Sequence, residues 1–182
     1  TLYVAASLWQ LYDQADVAVP VGSGDRTVVR SYEVTGDTLR PSDEIDLGDA
    51  VSDINAGGSA LIVARDHYED GKTTSRVAVV DIHQDDGTMV LGGDVAVTGR
   101  VESKYGLDLR AGVLRVVSEG GWSTPTTNHL ETFDVSDILH PRAIDHETFG
   151  DGEALYATLF VGGDKGFFVT YQRQDPFHAF TI

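Results

Sequence analysis

Four six-residue segments of this chain align without gaps: Leu2–Ser7 (LYVAAS), Leu61–Asp66 (LIVARD), Leu114–Glu119 (LRVVSE) and Phe167–Gln172 (FFVTYQ). They begin 59, 53 and 53 residues apart, and each has valine in third place: Val4, Val63, Val116 and Val169. Three of them follow a glycine-bearing turn (Gly57-Gly58, Ala111-Gly112, Gly162-Gly163-Asp164) and, before that turn, another apolar segment: Val51–Ala56, Tyr105–Leu109 and Leu155–Val161. Glycine tolerates the positive φ that short hairpin loops demand. These pairs therefore read as a first strand and a hairpin into a second.

A further aligned set lies beyond the second strands: Thr27–Val34, Ser75–Ile82, Asn128–Val135 and Asp175–Ile182. Its sixth place holds Tyr32, Val80, Phe133 or Phe180, and the next place is acidic in three copies, Glu33, Asp81 and Asp134. Alternation such as Val77, Val79, Asp81 is the period-2 signature of a strand. Weaker segments, Leu39–Leu47, Met89–Val97 and Arg142–Phe149, follow three of these. They read as edge strands, whose charges discourage edge-to-edge pairing. No stretch carries a sustained apolar stripe at helical spacing.

A four-stranded unit recurring every ~50 residues is the sequence signature of a β-propeller, whose blades bury their sheet faces by stacking around an axis. The expected fold is all-β, with four-stranded antiparallel blades at about residues 1–48, 49–99, 100–150 and 151–182. An ordinary two-layer sandwich is the alternative. In the strand count the first blade lacks its first strand and the last lacks its fourth, so about three and a half blades are present. Both ends supply second and third strands and do not interlock. The expectation is a partial propeller completed by blades from flanking sequence or another chain, and a complete four-bladed ring is the competing reading. Thr1–Ser7 shows no signal-peptide pattern, and the absence of an initial Met points to a processed or internal start.

Charge narrows the partners. Among 182 residues, 29 are acidic and 13 basic, for a net charge of −16. Such a surface has no basic stripe for nucleic acid and is repelled by anionic lipid. The longest apolar run is about six residues, against the ~20 a spanning helix needs. There is no cysteine, which excludes disulfides and thiolate metal sites.

The C-terminal third carries a recognisable pattern. Leu155–Phe177 reads LYATLFVGGDKGFFVTYQRQDPF. It resembles the secreted β-propeller domain family of bacteria and archaea, distantly related to WD40 repeats. The matching positions are Gly163, Asp164, Lys165, Phe168, Val169, Thr170, Tyr171, Asp175, Pro176 and Phe177, and upstream Gly112–Val116 is similar to the family's Gly-x-Leu-Arg-Val strand. Tyr105–Leu109 departs from its Asn-Gln-Phe motif. The resemblance implies an extracellular, cell-surface or periplasmic protein and implies no activity.

Chemistry-bearing candidates are few. None of the six histidines forms a helical or strand-type zinc pair, and no Gly-x-Ser-x-Gly or phosphate-binding glycine loop occurs. No cofactor is expected unless it is Ca²⁺, which takes loop carboxylates and carbonyls. The chain has 21 Asp against 8 Glu, with Asp-rich turns at Asp66–Asp70, Asp85-Asp86-Gly87 and Asp134–Asp137, none of which spells a calcium loop. At the inner mouth, where propeller ligands gather, the metal candidates are Asp53, Asn55 and Asp108. Three loops between second and third strands, Leu8–Asp25, His67–Thr74 and Gly120–Thr127, project from one end. They carry the partner-binding candidates Trp9, Tyr12, Tyr68 and Trp122, since aromatic residues anchor recognition surfaces. The reading is a non-enzymatic module for protein or glycan binding or surface assembly, with a Ca²⁺-dependent hydrolase or quinone-type dehydrogenase as the alternative.

Overall fold

The structure is a computed structural model, and it describes residues 1–8, 26–120, 127–171 and 176–182. Fourteen strands are present among the described residues. They are β1 Leu2–Leu8, β2 Arg26–Thr35, β3 Thr38–Gly48, β4 Ala50–Gly57, β5 Ala60–Glu69, β6 Lys72–Asp81, β7 Val90–Val97, β8 Leu107–Arg110, β9 Val113–Glu119, β10 Asn128–Asp134, β11 Arg142–Phe149, β12 Ala154–Val161, β13 Lys165–Tyr171 and β14 Phe177–Thr181. One short 3-10 turn, Lys104–Gly106, precedes β8.

The strands form four antiparallel sheets in chain order: β1-β2-β3, β4-β5-β6-β7, β8-β9-β10-β11 and β12-β13-β14. Each pairs sequential neighbours, so each is a meander, and the fold is a partial β-propeller. Three apolar layers hold consecutive blades together. Val29 and Ile45 of the first blade meet Leu61, Val63, Val80 and Met89 of the second. Ile62, Ala64, Val77, Val79 and Val95 of the second meet Leu107, Leu114, Val116 and Phe133 of the third. Val117, Leu130 and Phe149 of the third meet Phe168, Phe160 and Phe180 of the fourth. Both faces of the inner blades are therefore dry, which explains the continuous burial of β5 and β9 where a half-solvated strand would alternate.

The repeat gives every residue a direction. In the third strand of a blade, the second, fourth and sixth places face the preceding blade, and the first, third and fifth face the following one. Val80, Phe133 and Phe180 share the sixth place and all pack backward.

One copy of the alignment is off by a residue. Val4, Val63 and Val116 pair across the sheet with Arg30, Ala78 and Glu131. The equivalent pair in the last blade is Phe168 with His178, and Val169 pairs with Phe177 instead. A one-residue slip moves a side chain to the other face, so Phe168, rather than Val169, is the core residue here. Gly166 makes this possible. A Cβ at that position would lie 2.6 Å from Cζ of Phe168, whose ring occupies the vacated space. The ring stacks on Phe149 at 5.2 Å and meets Phe160 edge-on at 5.6 Å.

A second correction concerns the expected loop His67–Thr74. Most of it is strand, and β5 and β6 are joined by a tight turn at Asp70-Gly71. Both turn residues have positive φ, 50° and 79°. That is the type I′ pattern matching the twist of the flanking strands.

Candidate functional site

The inner-mouth candidates do not assemble into one site. Asn55, on β4, donates from Nδ2 to the backbone oxygens of Lys104 (3.2 Å) and Leu107 (2.7 Å), joining the second blade to the third. Asp108, on β8, is ion-paired with the buried guanidinium of Arg115. Arg115 also donates to Gly163 O at 2.5 Å in the last blade and lies over the Phe160 ring. The Asp53 side chain has no hydrogen-bond or ion-pair partner among the described residues, and its backbone pairs with Ala64 in the sheet. Asn55 thus faces the third blade and Asp108 the fourth.

The expected Asp66–Asp70 turn is instead strand through Glu69, with Asp66 accepting from Arg100, whereas the other Asp-rich turns are built by their own carboxylates. Asp81 accepts the backbone N–H of His83, Asp86 that of Thr88, Asp134 that of Ser136, and Asp137 that of Leu139, all at 2.9–3.1 Å. These are side-chain-to-backbone turns two residues long, the reason Asp suits such positions. The bonds from Ser136 hold the Asp134 carboxyl below its ordinary range. Contact with His140 does the same for Asp137. Among the described residues no group of three or more His, Asp or Glu side chains is placed to hold a metal ion.

Of the four aromatic candidates, Trp9, Tyr12 and Trp122 lie outside the described residues. Tyr68 stands exposed at the tip of the β5–β6 hairpin.

Polar contacts between blades follow the repeat. The first place of the third strand is Thr27, Ser75 or Asn128, each fully buried. Thr27 Oγ1 donates to Asp49 O at 2.7 Å. Ser75 Oγ accepts from Val101 N at 3.0 Å. Asn128 Nδ2 donates to Glu153 O at 3.0 Å. In each case the partner is the backbone that leads into the following blade. The sequence displayed this column of small polar residues but offered no cue to its role.

The most distinctive surfaces are the outer faces of the first and last blades. On the last, Leu159, Val161, Lys165, Tyr171 and Phe177 point away from the third blade and are exposed. Phe177 stacks on Phe167 at 5.8 Å without being covered. Phe177 is 62% exposed, whereas the residues in its place in the other three blades, Val29, Val77 and Leu130, are 0%, 0% and 4% exposed. On the first blade Val4 is 41% exposed, whereas Val63 and Val116 are both fully buried. Leu2, Val34 and Leu39 are exposed on the same face, beside two ion pairs: Arg26 with Asp46 at 2.7 Å and Arg30 with Glu44 at 2.5 Å. The aligned columns contained this contrast, because Phe177 shares a column with three core residues.

No curated protein matches the chain. A family model described as "Beta propeller domain" matches residues 2–182. The four stacked meander sheets and this match agree, and the chain belongs to the β-propeller domain family.

Proposed function

We propose that this chain is a non-enzymatic structural and binding module, acting outside the cell or at its surface, whose two end faces stack against further blades of the same kind. The observation that carries the reading is the exposure of Phe177 in a column whose other members are core. An apolar sheet face of this extent is costly in water: at roughly 25 cal/mol per Å² of apolar surface, each covered aromatic returns about 1.5–3 kcal/mol. A further blade matches the face because blades already cover the same places in the three internal interfaces. The surface setting rests on the resemblance of Leu155–Phe177 and Gly112–Val116 to secreted propellers. Binding of protein or glycan falls to exposed hairpin tips such as that of Tyr68, on the side away from the stacking faces.

The test is site-specific photo-crosslinking with benzoylphenylalanine at position 177 in the native protein. The expected product joins position 177 to a strand of another blade, mapped by peptide mass spectrometry. Absence of any crosslink, or a crosslink to a segment that is not a strand, overturns the proposal.

A further inference from the structure

Four of the six histidines pair with carboxylates. His67 lies near Asp49 and Glu69, His83 on Asp81, His140 on Asp137 and His178 near Glu153. Among the described residues His129 and His146 have no carboxylate partner, and they hydrogen-bond to each other, with Nδ1 of His129 3.0 Å from Nε2 of His146. The register of β10 and β11 sets His146 opposite Glu131 and Thr148 opposite His129. The two imidazoles are therefore diagonal neighbours on the face directed at the second blade.

We propose that His129 and His146 form a two-imidazole chelate for a late first-row divalent cation of the Zn²⁺, Ni²⁺ or Cu²⁺ type. Two nitrogens bound to one ion at about 2.0–2.1 Å lie about 2.9–3.4 Å apart, for angles between square and tetrahedral. The observed separation falls inside that span, and the entering ion replaces the one proton the two nitrogens share, which shifts to the outer nitrogen of the donor ring or to solvent. Imidazole favours these metals over Ca²⁺, which takes oxygen. His129 is buried and held in place by its strand, while His146 on edge strand β11 is exposed and leaves the ion a path from solvent. Glu131, two residues from His129 on the same face, is buried with its carboxylate oxygens on the N–H and hydroxyl of Thr98, each at 2.9 Å. Its negative charge offsets part of the cation's. Water fills the remaining coordination positions.

Isothermal titration of the metal-free native protein with ZnCl₂, and separately with CaCl₂, tests the site. One zinc ion per chain is expected to bind with His-dependent affinity. Substituting the exposed ligand, His146→Ala, should weaken zinc binding by about tenfold or more, since loss even of an outer-shell partner costs 10–100-fold. His140→Ala, which removes an imidazole from the carboxylate-paired group, should leave binding unchanged, and circular dichroism of both variants reports retained strand structure. Absence of zinc binding to the wild type overturns the proposal. So does binding by His146→Ala equal to wild type, or an equal loss in His140→Ala.

Discussion

Ser75 Oγ accepts a hydrogen bond from Val101 N across 3.0 Å, tying the start of the third strand of one blade to the backbone entering the next. Ser75 N donates to Gly99 O at 2.9 Å in the same segment, and Thr27 and Asn128 repeat the arrangement in the neighbouring blades. Non-directional packing fixes how close blades lie. A directional bond at a constant place in the repeat fixes their rotation.

Because Val101 is buried, removing the hydroxyl leaves its N–H without a partner. Ser75→Ala should cost about 1–3 kcal/mol, the penalty for a buried unsatisfied donor. Ser136→Ala, at an exposed serine bonded to Asp134, should stay within about 0.5 kcal/mol. Urea denaturation midpoints of the two variants check this, and equal effects would remove the inter-blade role of Ser75.

The register of the last blade gives a second prediction. Phe168→Ala should cost about 3–5 kcal/mol as a fully buried aromatic. Gly166→Ala should cost about 1–3 kcal/mol, because the added methyl meets the Phe168 ring. Val169→Ala, on the outer face, should cost less than either. Thermal unfolding of the three variants orders them, and a Val169 effect larger than that of Phe168 would restore the gapless alignment.

These residues also show how far the sequence was legible. Strand identity, order and meander pairing followed from apolar periodicity and glycine turns, because those signals are local. Register in the last blade did not follow, because Phe167, Phe168 and Val169 are all apolar and either face could have claimed them. The choice is made by Gly166, whose missing side chain matters only once the Phe168 ring is folded over it. The Asp70-Gly71 hairpin was masked by polar residues on both sides, although the dipeptide itself is a turn signal. Asn55 and Asp108 looked like ligands because a polar residue in a first strand has no apolar role. The bonds of Asn55 to the next blade, and the pairing by which Asp108 holds the inter-blade Arg115, appear only when the neighbouring sheet is in place.

Acid should loosen the third blade. His129 has its folded pKa depressed by burial and by His146, partly opposed by Glu131. As pH falls, the unfolded chain takes up the proton first. The stability this group contributes is complete above about pH 6.5, the unfolded imidazole value, and is lost as pH drops through the lower folded value. In metal-free buffer, denaturation midpoints measured between pH 7.5 and 5 should fall more steeply for wild type than for His129→Gln. Parallel profiles would show that this imidazole does not titrate differently on folding.

Hydroxyl-radical footprinting of the native protein, read residue by residue by mass spectrometry, reaches the central claim most directly. If the outer face of the last blade is a stacking surface, Phe177, Leu159 and Tyr171 are protected to the level of Phe168, while Tyr68 at its hairpin tip is oxidised freely. Oxidation of Phe177 and Tyr171 at the rate of Tyr68 would mean that water covers this face in the native protein, and stacking would be contradicted.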